Sequence, residues 1–317
     1  MKNAGTTGQS SLNYLRLFLA LSRTTHSFID LATPALAAIL WLGALPPPWI
    51  VALGLVTAFA AYTAIYGLND MVDWPCDRQR IGHVSQKDAS EYLDTVFLRH
   101  PVAQGALSVR MGFAWVILWS AVAVTGAFLL NPVCALFFLL GAVLEAVYCR
   151  MLLITHLRVL VSGVVKTLGG LAAVFAVDPN PSPLFLTLLF LWLFFWEIGG
   201  QNVPADLYDL EEDAELKFRT VPVRFGITGA GRIMLVSLYL TLMLNPLLLS
   251  ATPRPFSPFV AAGCLIAGIG LLLVPAHRFY GVRSDASVSR LFTRASLYPA
   301  AVLAVLLIHM LFINLWG

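Results

Sequence analysis

Apolar segments of membrane-spanning length recur along this chain, separated by short stretches that are polar or contain proline. A bilayer core requires about 20 apolar residues per helix, and by that measure the pattern predicts nine spans. Asp30 and the polar residues before it leave the start of the first span the least sharply defined. The predicted spans cover residues 28–45, 49–68, 111–130, 133–150, 158–177, 184–202, 232–250, 257–274 and 295–315.

The amino-acid composition is typical of an integral membrane protein. The sequence is 59% hydrophobic and 12% charged, whereas a soluble domain averages about 25% charged residues. The four cysteines are scattered without a C-x-x-C pair, which excludes a disulfide framework and a cysteine-based zinc site. We therefore predict an all-α integral membrane protein whose partner is lipid and which has no nucleic-acid partner.

Positive charges gather in the loops on one side of the predicted membrane, and the opposite loops hold only Arg254. Because cytoplasmic loops carry the excess of Lys and Arg, this bias predicts a cytoplasmic N-terminus. In a prokaryote the membrane would be the inner one. The residues on the positive side are Lys2, Arg16, Arg23, Arg78, Arg80, Lys87, Arg99, Arg110, Arg150, Arg158, Lys217, Arg219, Arg224, Arg232, Arg278, Arg283, Arg290 and Arg294.

Two acidic clusters with the same spacing follow the second and sixth spans, both on the predicted cytoplasmic side. Aspartates occupy positions i, i+3 and i+7 in each, so a helix continuing through either cluster would carry them on one face. The offset of 206 minus 70, or 136 residues, corresponds to four spans and suggests an internal repeat with halves meeting at a central site. The clusters comprise Asn69, Asp70, Asp73 and Asp77, and Asp206, Asp209 and Asp213.

The crowded carboxylates call for a cation between them, because like charges repel and carboxylates near a helix C-terminus oppose the helix dipole. A solvated loop would be the simpler interpretation of either cluster alone, and the matched spacing favours metal binding. Oxygen ligands without a neighbouring His/Cys set indicate Mg²⁺, with Mn²⁺ as an alternative. Magnesium commonly bridges carboxylates to substrate phosphates, so a diphosphate is the expected third component.

Basic residues near both clusters fit a phosphate, since such side chains can clamp phosphoryl oxygens. Arg78 and Arg80 follow the first cluster, and Lys217 and Arg219 follow the second, although each alone is typical of a positively charged cytoplasmic loop. Lys166 lies inside a predicted span. A lysine inside a span requires a charged partner or a polar cavity. The sequence leaves two roles open for Lys166, which are binding substrate and snorkelling to the membrane surface.

Other polar and aromatic residues lie one or two helical turns from the clusters. Tyr66, Tyr62 and Phe59 precede Asn69 on roughly the same helix face. Such a stripe is more often packing, but beneath a diphosphate its ring faces would stabilise a developing carbocation. The residues that end the sixth span, Gln201 and Asn202, could hydrogen-bond metal-bound water or diphosphate. No role is assigned to His100, Cys76 or His156.

In these motifs the sequence resembles the UbiA superfamily of intramembrane prenyltransferases. Residues 69–77 match the pattern N-D-x-x-D-x-x-x-D, and residues 206–213 match D-x-x-D-x-x-x-D. Residues 217–226 resemble the basic, threonine-containing stretch that ends in glycine in that family. The resemblance covers nearly the whole chain, so we expect a single domain, 1–317, with about nine helices around a central cavity.

One segment departs from the family pattern. In many relatives Arg-Thr-x-x-Arg-Pro closely follows the first aspartates, whereas here a longer polar segment, residues 78–98, precedes Arg99, His100 and Pro101. This insertion borders the site and could form an amphipathic helix or a cap.

The resemblance implies Mg²⁺-dependent transfer of a polyprenyl group from its diphosphate to a small acceptor, often aromatic, as in quinone biosynthesis. It implies catalytic roles for four aspartates of the clusters: Asp73, Asp77, Asp209 and Asp213. The implied metal ligands are Asn69, Asp73, Asp77, Asp206, Asp209 and Asp213, with Asp70 either a ligand or supporting one. The expected substrate-binding residues are Arg78, Lys217, Arg219, Lys166, Asn202, Tyr66 and Tyr62.

Three alternatives remain open from the sequence. A membrane terpene cyclase would use the same ionisation without an external acceptor. The acceptor of a transferase could instead be non-aromatic, such as a sugar or glycerol phosphate. A divalent-cation transporter is disfavoured because both clusters lie on one side of the membrane.

Overall fold

The computed structural model describes residues 5–81 and 98–316, with side chains over 13–81 and 98–312, and these residues form helices without any strand. Two of the helical segments are π-helices, π1 (Glu197–Asn202) and π2 (Ile269–Leu273). The α-helices are α1 (Gly5–Leu21), α2 (Thr24–Asp30), α3 (Ala32–Leu42), α4 (Pro48–Arg80), α5 (Val109–Leu130), α6 (Pro132–Met151), α7 (Arg158–Val177), α8 (Pro183–Trp196), α9 (Val203–Tyr208), α10 (Leu210–Glu215), α11 (Val221–Ser250), α12 (Pro258–Gly268), α13 (Val274–Val282), α14 (Asp285–Ser296) and α15 (Tyr298–Trp316).

The prediction of nine spans is confirmed within the described residues, where nine helical stretches are long and apolar enough to cross a bilayer. Five of them extend well beyond the apolar segments on the side that carries the acidic clusters. The second span, for example, runs from Pro48 to Arg80 instead of ending at residue 68. The first polar residues after an apolar segment therefore mark where the helix leaves the apolar layer of the membrane, and the helix itself continues beyond them. Most of the 78–98 insertion lies outside the described residues.

The buried core lies mainly among α3, α8, α11, α12, α14 and α15. Its largest side chains include Phe185, Trp192 and Trp196 of α8, together with Tyr298, all nearly inaccessible to solvent. Helix α8 is apolar on nearly all sides, as expected of a membrane span that packs one face against the core and leaves residues such as Leu184 exposed. This packing supports the segment π1–α9–α10, which carries the second acidic cluster.

The π-helix π1 lies where α8 and α11 approach each other closely. A Cβ atom added to Gly199 would come within 2.8 Å of the main-chain oxygen of Met234, so the contact requires glycine. On the other side, the indole nitrogen of Trp196 donates to the carbonyl oxygen of Ala295 at 3.0 Å. π-Helical turns of this kind are rare and are frequently found at functional sites.

Candidate metal and substrate site

The first acidic cluster lies on the last turns of α4, on a face directed into the protein. Asp70, Asp73 and Asp77 are all buried, as the i, i+3, i+7 spacing predicts for a helix that continues through them. Pro75 lies within this part of α4 without ending it.

The second cluster extends over a helix break. Asp206 belongs to α9, Asp209 stands at the break with φ −93° and ψ 8°, and Asp213 belongs to α10. All three are buried. The main-chain N–H of Asp213 donates to the carbonyl oxygen of Asp209 at 2.9 Å, which holds the two short helices together.

Arg80 brings the two clusters into one chamber. Its Nη2 lies 2.6 Å from Oδ1 of Asp213, and its Nη1 lies 3.6 Å from Oδ1 of Asp77. Its guanidinium also covers the ring of Phe218 at 5.2 Å. A second bridge joins Arg99, beyond the insertion, to Asp209 at 3.4 Å. The clusters therefore face each other. The guanidinium groups of Arg80 and Arg99 supply part of the positive charge that the sequence requires between them.

His100 adds a further cation that the sequence did not identify. Its Nδ1 lies 2.8 Å from Asp70 and 2.9 Å from Asp77. Burial alone would lower the pKa of the imidazole, but the two carboxylates outweigh this and raise the pKa of His100 to about 9. Without a metal ion at these aspartates, the two carboxylates therefore favour the charged form of the ring at neutral pH. The only sequence signal for this contact is the position of Arg99-His100-Pro101 after the insertion.

Several carboxylate oxygens in the chamber are buried without a hydrogen-bond partner among the described residues: Oδ2 of Asp70, Oδ2 of Asp206 and Oδ2 of Asp213. A buried acceptor without a partner is costly, so such oxygens indicate a missing ligand. Burial also raises the pKa of Asp213, with Asp209 adding to the effect and Arg80 opposing it. Both clusters contribute carboxylate oxygens, which are the ligands that Mg²⁺ prefers. The residues in the chamber therefore fit the Mg²⁺ ion that the sequence predicts.

Asn69 is held in place by two charged side chains. Its Nδ2 donates to Oε1 of Glu145 at 2.6 Å, and its Oδ1 accepts from Nη2 of Arg23 at 3.4 Å. Glu145 is buried on α6 and was not singled out in the sequence. These contacts fix the amide orientation at the boundary between the acidic chamber and the apolar part of the protein.

Arg158 is a second arginine near the clusters and, unlike the half-buried Arg80, it is fully buried. It is 5% exposed, its guanidinium lies 4.1 Å above the ring of Tyr148, and its Nε has no hydrogen-bond partner in the described part of the chain. The Tyr148 hydroxyl in turn accepts from Nδ2 of Asn202 at 2.9 Å. In the sequence Arg158 looks like any of the arginines in the positively charged loops. Only its burial and its position over Tyr148 distinguish it from them.

A cavity of about 390 Å³ opens beneath the clusters. Helix α4 lines it from Ile50 to Asn69, a length of about 28 Å at 1.5 Å per residue, close to the thickness of a bilayer core. Of the predicted substrate-binding residues, Tyr62, Tyr66, Lys166 and Asn202 line this cavity. Phe59 instead packs between the rings of Phe28 and Trp119, at 5.2 and 5.4 Å.

Lys166 has a buried partner inside the span. Its ammonium donates to Oδ2 of Asp30 at 2.7 Å, and the hydroxyl of Tyr66 donates to the same oxygen. The side chain therefore pairs within the protein and does not snorkel. Gln201, which we expected near the metal, donates to the hydroxyl of Ser296 at 3.0 Å.

The remaining predicted substrate-binding residues are Arg78, Lys217 and Arg219. All three have exposed side chains and do not line the cavity. Lys217 has a left-handed backbone with φ 58°, and the main-chain N–H of Arg219 donates to the carbonyl oxygen of Leu152 at 2.7 Å. Their role toward a diphosphate stays a prediction.

Comparison with known proteins agrees with this architecture. The sequence profile of the UbiA prenyltransferase family matches residues 31–298. No match was found among curated protein sequences.

Several solved structures share the fold at low sequence identity. An apo UbiA homologue from Aeropyrum pernix K1 superposes with a TM-score of 0.67 at 18% identity, over 90% of this chain and 98% of that one. A UbiA homologue from Archaeoglobus fulgidus bound to GPP and Mg²⁺ gives 0.66 at 17% identity, over 92% and 99%. A structure of digeranylgeranylglyceryl phosphate synthase gives 0.64 at 14% identity, over 93% and 97%.

Proposed function

This chain belongs to the UbiA prenyltransferase family, and we propose that it transfers a prenyl group from a prenyl diphosphate to a small acceptor in a Mg²⁺-dependent reaction. The observation that carries the proposal is the meeting of both acidic clusters around Arg80, next to an apolar cavity whose lining includes Asn69 and Ala205, the residues immediately before Asp70 and Asp206. A site for a charged headgroup thus adjoins a space for an isoprenoid chain. The complexes of the Archaeoglobus fulgidus homologue with DMAPP or GPP and Mg²⁺ support this interpretation.

The residues that would hold Mg²⁺ are those of the two clusters, Asn69, Asp73 and Asp77 on α4 and Asp206, Asp209 and Asp213 opposite, with Asp70 as a ligand or a support. When bound, Mg²⁺ would neutralise the charge that develops on the departing diphosphate. Asp73, Asp77, Asp209 and Asp213 are thereby the proposed catalytic carboxylates.

Two arginines, the half-buried Arg80 and the buried Arg158, complete the charge balance of the proposed headgroup site. Arg80 already contacts carboxylates of both clusters, and Arg158 is held over Tyr148 with its Nε available to a ligand. Guanidinium groups suit phosphoryl oxygens because their donors match two oxygens at once. At the exposed rim, Arg78, Lys217 and Arg219 would attract the anionic donor.

The apolar cavity would hold the prenyl chain and keep water from quenching an allylic cation. Tyr62 and Tyr66 line it with their rings stacked 6.4 Å apart. Both belong to the turns of α4 that precede Asn69. Their ring faces would stabilise positive charge on the reacting carbon.

We favour an aromatic acceptor, such as a quinone precursor, delivered from the cytoplasmic side that the positive-inside bias assigns to both clusters. A glycerol-phosphate type of acceptor is the second candidate, because one structure with the same fold is a digeranylgeranylglyceryl phosphate synthase.

A mass-spectrometric screen tests the proposal. Purified protein would be incubated with Mg²⁺, prenyl diphosphates of several lengths, and phenolic, naphthoic, sugar-phosphate and glycerol-phosphate acceptors. The proposal predicts a prenylated product that requires both metal and acceptor. Release of diphosphate with a hydrocarbon product and no acceptor would indicate a cyclase instead, and no consumption of any prenyl diphosphate would refute the proposal.

A further inference from the structure

A second group of polar side chains lies deeper in the cavity than the aspartates. We call it the inner polar cluster, and it comprises Asp30, Tyr66, Ser162, Lys166 and Glu197. Lys166 and the hydroxyl of Tyr66 donate to Asp30. The hydroxyl of Ser162, one turn before Lys166 on α7, donates to Oε1 of Glu197 at 2.7 Å. All members except Asp30 line the cavity.

Such a group is expensive to place inside a membrane protein. Charged side chains within spans are rare and generally mark a functional path or pocket. Apolar residues of similar volume would pack this region at least as well as a buried ion pair. The inner polar cluster is therefore better explained by a polar ligand in the cavity than by stability.

The π-helix directs additional polar groups at the same space. In an α-helix, residues five apart point roughly 140° from each other, whereas the i→i+5 turn of a π-helix brings them to the same side. Glu197 and Asn202 are the first and last residues of π1, and both line the cavity. The rare backbone of π1 thus places a carboxylate and an amide in the same pocket.

Two buried atoms in this wall have no hydrogen-bond partner within the described part of the chain: Oδ1 of Asn202 and the hydroxyl oxygen of Tyr62. Asn202 is 5% exposed, and its Nδ2 is already bonded to Tyr148. A carbonyl oxygen only accepts hydrogen bonds, so the missing partner of Asn202 is a donor such as a substrate hydroxyl or a metal-bound water. A diphosphate oxygen, which only accepts, does not meet this requirement.

The cluster lies where the reacting ends of two substrates would meet. Tyr66 is one helical turn before Asp70, and Glu197 precedes Asp206 by nine residues, about 13 Å of helix. The cavity continues from there along α4 toward Ile50. A prenyl diphosphate with its headgroup at the aspartates would therefore present its first carbon near Tyr66, and an acceptor beside that carbon would lie between it and Glu197.

We propose that the inner polar cluster is the acceptor subsite, that it binds a neutral molecule bearing a hydroxyl group, and that Glu197 accepts the proton this molecule loses. The proposal rests on the prenyl transfer proposed above. The allylic C–O bond breaks and its electron pair leaves with the diphosphate. The acceptor supplies the pair for the new bond from oxygen or a ring carbon, and its proton passes to the carboxylate of Glu197.

The charges of the cluster favour a neutral acceptor over an anionic one. Lys166 is bonded to Asp30, and Glu197 and Glu145 bring two further carboxylates to the cavity wall. Arg23 is the one other Lys or Arg among the described residues that line the cavity, so carboxylates outnumber these cations around it. A carboxylate on the acceptor would meet like charge in a place from which water is excluded, which is costly. A hydroxyl can instead donate to Glu197 or Asn202.

The test compares Glu197→Gln with wild type in the full-length protein in lipid nanodiscs. The probes are a non-hydrolysable prenyl thiodiphosphate with Mg²⁺ for donor binding, and 4-methylphenol and 4-hydroxybenzoate as a neutral and an anionic acceptor. We expect donor affinity and the slow acceptor-free release of diphosphate from a natural donor to stay within threefold of wild type. Transfer to 4-methylphenol should fall by about 100-fold or more, as expected on loss of a general base.

Matched variants separate this role from a structural one. Glu197→Asp keeps the carboxylate and should recover part of the transfer rate. Glu211→Gln makes the same chemical change at an exposed carboxylate and should leave transfer unchanged. Transfer by Glu197→Gln within threefold of wild type, or wild-type preference for 4-hydroxybenzoate, would overturn the inference while prenyl transfer stands. Failure of wild type to bind the thiodiphosphate would refute the proposed function itself, and the inference with it.

Discussion

Arg80 and Asp213 are separated by 133 positions in the sequence and lie 2.6 Å apart in the structure. Arg80 ends the helix that carries the first acidic cluster, and Asp213 ends the second cluster on α10. Their contact is direct evidence that the two motifs share a chamber. It also shows that a chain with matched acidic clusters can supply part of the balancing charge itself.

Replacing Arg80 should destabilise the protein as well as weaken donor binding. Arg80→Gln leaves the buried carboxylate of Asp213 without its charged partner, a loss of about 1–3 kcal/mol in unfolding free energy. Thermal unfolding in detergent would measure the effect. Arg78→Gln is the matched comparison, because Arg78 is exposed two residues earlier and its loss should cost less than about 0.5 kcal/mol. Equal effects of the two substitutions would contradict the assignment.

His100 should make stability depend on pH when metal is removed. The pKa of its imidazole is raised from 6.5 to about 9 in the folded protein. The stabilisation is therefore fully present below the unfolded value near pH 6.5, and it is lost as the pH rises through about 9. With EDTA present, wild type should lose more stability across this window than His100→Gln. Parallel pH profiles for the two proteins would show that the contacts with Asp70 and Asp77 contribute nothing.

Arg158 should contribute to donor binding through its planar group as well as its charge. Arg158→Lys keeps the positive charge but loses the stacking on Tyr148 and the paired donors. We expect the KM for the prenyl diphosphate to rise about tenfold, or about 1.4 kcal/mol, with a smaller change in kcat. Arg150→Lys, at an exposed position on α6, serves as the control. An unchanged KM in Arg158→Lys would remove this arginine from the headgroup site.

The pair of Lys166 and Asp30 should behave as a coupled unit. Removing one partner leaves a buried charge, so Lys166→Met or Asp30→Asn alone should cost on the order of 3–5 kcal/mol. The double variant should be more stable than the sum of the two single losses predicts, because both charges are then absent. A double-mutant cycle on thermal stability measures this coupling. Strict additivity would mean that the 2.7 Å contact has no energetic consequence.

The sequence predicts the membrane spans well because the bilayer imposes one requirement on every one of them, a minimum apolar length. It predicts the helix ends poorly. α4 remains helical to Arg80 through three aspartates and Pro75, since the polar end of a helix can continue beyond the apolar layer. The π-helix π1 has no local signature either, because it depends on the close packing of Gly199 against α11.

Within the site, periodic residues are predictable and single residues are not. The repeated spacing of the aspartates places them on one helix face, as found for Asp70, Asp73 and Asp77. Arg158 and Glu197, in contrast, acquire significance only through neighbours that are remote in the sequence, Asp206 and Lys166 among them. Phe59 shares its helix face with Tyr62 and Tyr66, which left packing and a cavity position both open from the sequence, and it packs between two other rings.

If the proposed function is right, both acidic clusters bind the same metal-bound prenyl diphosphate. The most direct measurement is the Mg²⁺-dependent binding of a prenyl thiodiphosphate to wild type, Asp73→Ala and Asp209→Ala, with turnover and circular dichroism recorded on the same samples. Each substitution, in either cluster, should abolish metal-dependent binding and turnover while the helical content stays that of wild type. Wild-type binding and activity in either variant would contradict the proposed function, because that cluster would then take no part in holding the donor.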